Sequence, residues 1–148
     1  MSNAKTVSLE TSHHIRDTCL CLHAQRAARA MARHFDEALR PVDLTNGQFS
    51  ILVSLNRPEP AGMGAVAEVL AMDRTTLTAN LKPLERRGLV KIVTNPDDKR
   101  GRHLMLTQAG RKVLAAALPI WTRAQAEAEA LLGRSSPDRV RADLRALS

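Results

Sequence analysis

Between Gly62 and Thr107 the chain carries two short helical patterns joined by a tight break, followed by two strand patterns joined by a polar loop. No other stretch constrains the fold as strongly. Val66, Ala67 and Leu70 form the apolar edge of the first pattern, and Met72-Asp73 interrupts it. The Asp73 carboxylate is suited to accept from the free amides of the turn that follows. Leu77, Leu81 and Leu84 then recur at i, i+4 and i+7, which is one buried face of a helix. At about 100° per residue, Thr75, Thr78, Ala79, Lys82 and Arg86 fall on the opposite side, which presents hydroxyls and cations and no acid. Gly88 is the residue expected to end this helix. Val90 and Ile92, then Leu104 and Leu106, alternate with more polar neighbours as half-buried strands do. Between them Asn95-Pro-Asp-Asp-Lys-Arg-Gly101 supplies turn chemistry with a basic tip.

These pieces predict a helix, a recognition helix and a β-hairpin wing: a mainly α fold with a small β-hairpin, built to read duplex DNA. An ordinary amphipathic helix with a solvated face would explain the first part alone, but not the hairpin that follows. A basic tip fits the narrow minor groove, where the negative potential favours arginine. Asp98, two residues before Arg100, is expected to orient its guanidinium while partly neutralising it.

The placement of charge supports the same reading. The 148 residues make one domain's worth of chain, with 22 Lys+Arg against 15 Asp+Glu and a net charge of +7. From Asp73 to Lys112 ten basic residues stand against four acids, so +6 of that +7 lies in one window. A focused basic patch is the footprint of a polyanion-binding surface. A membrane surface would attract it too, but no long apolar stretch or basic amphipathic terminus accompanies it. With no signal peptide or transmembrane segment in view, a cytoplasmic protein is expected. Two cysteines do not make a disulfide scaffold. Aromatic residues are 2% with no tyrosine, poor material for stacking on single strands, which favours duplex over single-stranded nucleic acid. No Gly-rich phosphate loop, nucleophile elbow or paired-carboxylate constellation is present, so no catalytic residues and no cofactor are expected.

The motifs Asp73-Arg-Thr-Thr-Leu-Thr78, Leu84-Glu-Arg-Arg-Gly-Leu-Val90, Asp98-Lys-Arg100 and Leu106-Thr-Gln-Ala-Gly110, with Leu44-Thr-Asn-Gly-Gln-Phe49 upstream, together resemble MarR-type transcriptional regulators. The resemblance runs from about His13 to Leu147 with the motifs in the family's order. It implies a single domain over 1–148, with a winged helix-turn-helix region at about 44–107 and dimerisation helices at about 12–40 and 108–148. The resemblance further implies a homodimeric repressor on a pseudo-palindromic operator, with recognition helices about 34–36 Å apart in successive major grooves. Arg74, Thr75, Thr76, Thr78, Lys82 and Arg86 are the expected helix contacts. Arg100 is the wing-tip residue, and Lys99 and Arg102 are backbone contacts. Ala79 departs from the family, many of whose members carry a larger polar residue there, and Pro83 within the helix is unusual.

Elsewhere, Thr11 or Ser12 is expected to cap a long first helix to about Leu39, striped by Leu20, Ala24, Ala27, Met31 and Phe35. Thr45 and Gln48 read as a capping box, with Leu44 and Phe49 as its hydrophobic staple. The second helix is expected to bury Phe49, Leu52, Val53 and Leu55, and 57–62 to be a loop. Thr107 should cap a long helix kinked by Pro119, and Pro137 should start a last one. Its stripe of Val140, Leu144 and Leu147 needs a partner surface, for which a two-fold dimer is the economical answer.

Cys19 and Cys21 stand i, i+2 on the expected first helix, roughly 200° apart around its axis, which excludes a shared metal or intrachain disulfide. The family includes thiol-based peroxide sensors, and Cys21 falls at the sensors' cysteine position. Gln25 and Phe35 stand where those sensors have tyrosines. His13, His14 and His23 lack further ligands for a metal site. Relatives that bind a small aromatic or phenolic effector between dimer helices and reader suggest Arg16, His23 and Trp121 as pocket residues here, although Trp121 fits the core equally well. A redox-sensing regulator and a non-specific architectural DNA protein stand as alternatives.

Overall fold

The computed structural model describes residues 6–98 and 100–148. The chain divides into two compact units, residues 1–33 and 34–148. The first holds α1 (Leu9–Thr18) and the larger part of α2 (Leu20–Leu39), with Cys19 alone between them. Ser8, not Thr11 or Ser12, caps α1 by accepting from the Thr11 amide. The expected single helix is therefore two, because Cys19 turns to ψ 110°. Local side-chain bonds compete with the helix here. The Thr18 hydroxyl donates back to the His14 oxygen at 2.7 Å, and the Cys19 sulfur takes the Leu22 amide at 3.5 Å.

The second unit contains the core. A 3-10 turn at Arg40–Val42 follows α2, and α3 (Asn46–Ser54) starts from the expected capping box at Thr45 and Gln48. Leu44 and Phe49 both join the buried cluster. α3 buries Phe49, Ile51 and Leu52, whereas Val53 is 50% exposed, a correction to the expected face. β1 (Ala61–Gly62) leads into α4 (Met63–Val69), and α5 (Arg74–Arg86) follows. β2 (Val90–Thr94) and β3 (Arg102–Leu106) form the hairpin. The sheet order is β1-β3-β2, all antiparallel, with Val90 opposite Leu106, Ile92 opposite Leu104, and Ala61 opposite Leu104 on the other side. β1 corrects the expected loop over 57–62.

α6 (Gln108–Ala130) is capped by Thr107 and continues as one helix through exposed Pro119. α7 (Pro137–Ala146) starts with Pro137 behind the Ser136 cap. Leu77, Leu81, Leu84, Leu104, Val90 and Leu52 are each at most 2% exposed, so α5 and the hairpin are fastened to one core. The end of α2 is tied to α6 by His34, whose Nε2 bonds the Ala124 oxygen at 2.9 Å.

Candidate nucleic-acid interface

The break between α4 and α5 is made by Ala71, which adopts φ 50°, and by the Met72 amide, which returns to the Ala67 oxygen at 2.9 Å. Asp73 then caps α5. Its carboxylate accepts from the Thr76 amide and from the Thr76 hydroxyl, each at 2.8 Å. Those bonds hold the Asp73 carboxyl below the ordinary aspartate range. Leu77, Leu81 and Leu84 are buried, so Arg74, Thr75, Thr78, Ala79, Lys82 and Arg86 face outward, and all six are exposed. Arg74, Lys82, Arg86 and Arg100 meet no acid within ion-pair distance among the described residues. Gly88, at φ +70°, ends the helix as its position in the sequence implies.

The wing turn closes when the Asn95 amide donates to the Gly101 oxygen at 3.1 Å and the Gly101 amide to the Asp98 oxygen at 2.9 Å. The Asp98 carboxylate holds the Arg100 main-chain amide at 3.0 Å. It thus shapes the turn, whereas the sequence pointed to a bond with the Arg100 guanidinium. Lys99 lies outside the described residues. Between the wing and the starts of α4 and α5 runs a cleft of about 370 Å³, lined by Gly62, Met63, Gly64, Arg74, Asn95, Asp98, Arg100, Gly101, Arg102 and His103. Arg74 thus belongs to both the helix face and the wing cleft. His103 and the Gly62–Gly64 corner were missed from sequence; only the pairing of Gly62 with His103 brings them here.

Two cations of the basic window are committed elsewhere. Arg87 donates to the Asp43 oxygen and, at 3.3 Å, to the Val42 oxygen, pinning the α2–α3 loop under the end of α5. Arg111 donates to the Leu106 oxygen at 3.1 Å.

Arg16 and His23 belong to the first unit and are engaged locally, Arg16 with Asp17 at 2.6 Å and His23 Nδ1 with the Cys19 oxygen at 2.8 Å. Trp121 belongs to the second, stacked on Phe49 with centroids 6.3 Å apart. It lines an apolar groove of about 430 Å³ with Phe49, Val53, Val69, Leu70 and Leu118. Both cysteines are free thiols. Cys19 lies in the break between α1 and α2 rather than on one continuous helix as expected, its backbone extended at ψ 110°. Exposed Cys21 accepts from Gln25 Nε2 at 3.3 Å. Among the described residues no group of three or more His, Cys, Asp or Glu side chains is placed to hold a metal ion, and no helix is long and apolar enough to cross a membrane.

A helix, a break, an outward-facing second helix and a basic hairpin on one core define a winged helix-turn-helix module. The MarR family model matches residues 44–101, which take in α3, α4, α5, β2 and the wing turn but stop short of β3. The transcriptional regulator HosA of Escherichia coli O111:H- is 36% identical over 94 residues, spanning 64% of this chain and 67% of that protein. Among solved structures, the M. tuberculosis transcriptional regulator MosR in complex with DNA superposes with a TM-score of 0.79 at 39% identity, over 87% of this chain and 92% of that one. A mutant E. coli MarR complexed with operator DNA gives 0.73 at 26% identity, over 90% and 94%. The chain belongs to the MarR family. It is a transcriptional regulator, not an enzyme.

Proposed function

We propose that this chain is a homodimeric, sequence-specific duplex-DNA-binding repressor acting on a pseudo-palindromic operator. The observation that carries the reading is the set of exposed cations Arg74, Lys82 and Arg86 on α5 beside a basic wing, both fixed to one core. Arg74, Thr75 and Thr78 are at the end of α5 that reaches base edges, while Lys82 and Arg86 suit phosphates. Arg100 occupies the minor groove at the wing tip, flanked by Lys99 and Arg102 on the backbone. MosR and MarR relatives solved with DNA support the duplex as ligand. Homodimerisation is supported by large apolar side chains left outside in one copy, with Leu131, Leu144 and Leu147 respectively 77%, 52% and 64% exposed. The Phe49–Trp121 groove suits a small aromatic or phenolic effector that relieves repression.

Titrating the protein against a duplex from its own upstream region, beside random duplex, tests this directly. The operator duplex should bind at least about 10³-fold more tightly than random sequence. Arg100→Ala should weaken it about tenfold or more, one groove contact being worth about 1–3 kcal/mol. Equal, weak binding to both duplexes would point to an architectural protein, and no binding at low salt would remove the reading altogether.

A further inference from the structure

The middle of α5 offers fewer hydrogen-bond donors than its sequence suggests. Thr76 gives its hydroxyl proton to the Asp73 carboxylate at 2.8 Å, and Thr78 gives its own to the Arg74 main-chain oxygen at 2.7 Å. A hydroxyl has one proton, so neither can donate to a base without breaking the bond it already makes. Asn80 is turned inward as well, its amide nitrogen donating to the Thr76 oxygen at 2.9 Å. Ala79 brings no polar side-chain atom. Thr75, Thr78 and Ala79 line, with Arg74 and Lys82 beside them, an open concavity of about 340 Å³ on the outward face. Thr75, Thr78 and Ala79 each bring a methyl group to its lining, and Arg74 and Lys82 are cations that meet no acid among the described residues.

Among the unmodified bases only thymine presents an apolar group in the major groove, its C5 methyl, and alanine and the threonine methyl are its natural contacts. The methyls of such a lining displace water from the amino and carbonyl groups of the other bases without hydrogen-bonding to them, so those bases gain less from it than thymine does. We propose, on the reading of α5 as a major-groove helix, that the Thr78–Ala79 floor seats the C5 methyl of one thymine in each half-site and so makes these two residues specificity determinants. The committed hydroxyls become part of the design: turning the Thr78 oxygen onto the helix leaves a methyl and a lone pair for the base.

The wild-type protein is first used to select its preferred duplex from a random-sequence pool. Each thymine of the half-site is then replaced in turn by deoxyuridine, which lacks only the methyl. One position should respond, weakening about fourfold per half-site and about fifteenfold when both are replaced, the effect of exposing one buried methyl each time. Thr78→Ser, which keeps the hydroxyl and loses the methyl, and Ala79→Gly should both shrink that thymine-over-uracil ratio, and Thr78→Val should retain the ratio. A selected operator with no uracil-sensitive thymine would overturn the methyl seat and leave the DNA reader standing. The same holds if the ratio is lost in Thr78→Val and kept in Thr78→Ser. Failure to enrich any sequence would overturn the reader, and the seat with it.

Discussion

A methyl group added at Gly110 would collide with the Leu89 carbonyl oxygen and come within 2.6 Å of Leu106 Cδ1. The obstacle is largely main chain, which cannot swing aside as a flexible side chain would. Gly110→Ala should therefore cost about 2–3 kcal/mol, toward the upper end for an overpacked site, as a lower midpoint in urea unfolding. The glycine's place in Leu106-Thr-Gln-Ala-Gly110 was visible from the chain; the reason for it was not, since it depends on the Leu89 carbonyl 21 residues upstream. Arg87 makes the same point. In sequence it is one more cation in a basic window, yet its guanidinium reaches carbonyls 44 and 45 residues away and fastens a loop. Side-chain periodicity separates buried from exposed positions, but it does not say whether an exposed cation faces solvent or a carbonyl.

Among the elements, α5 and its wing were the most legible, because three leucines at helical spacing and paired strand alternation each admit one arrangement. The division of α1 from α2 was hidden because no Gly or Pro marks it in sequence, while the interruption depends on two local bonds at Thr18 and Cys19. β1 is two residues long, too short to show any alternation. The start of α5 rests on Asp73, whose carboxyl is held below its ordinary value first by the Thr76 amide and then by the Thr76 hydroxyl. That stabilising contribution is fully present above the unfolded aspartate range, near about pH 4, and is lost as pH falls through the lower folded value. Asp73→Asn should flatten the acid limb of a melting-temperature profile recorded from neutral pH downward, and an unchanged limb would disprove the linkage. At the other end of the chain Arg141 bridges Glu129 at 2.7 Å and Asp138 at 2.6 Å, joining α7 to α6. Arg141→Ala should speed amide hydrogen exchange in α7 while leaving α5 as protected as before. Equal protection of α7 in both proteins would show that the bridge does not hold the helix down.

For the whole molecule the decisive quantities are ionic. If about 6–8 phosphates are neutralised per dimer, log K should fall against log salt with a slope of about −5 to −7. Arg87 and Arg111 are spoken for by carbonyls, so replacing either should leave that slope alone, whereas Lys82→Ala should make it shallower by about two per dimer, one phosphate being lost from each copy. A slope near zero would mean that the basic window does not face the duplex. The geometry also bears on how such a molecule is governed. Thr107 bonds the carbonyls of Gly88 and Leu89, and its own amide returns to the Leu89 oxygen at 3.1 Å, so the end of α5 and the beginning of α6 share the same peptide groups. With 23 residues at about 1.5 Å each, α6 is a pointer some 34 Å long soldered at its base to the reading head. A swing of α6 about its base would turn the reading head with it, so control of such a molecule would need no loosening of the reader at all.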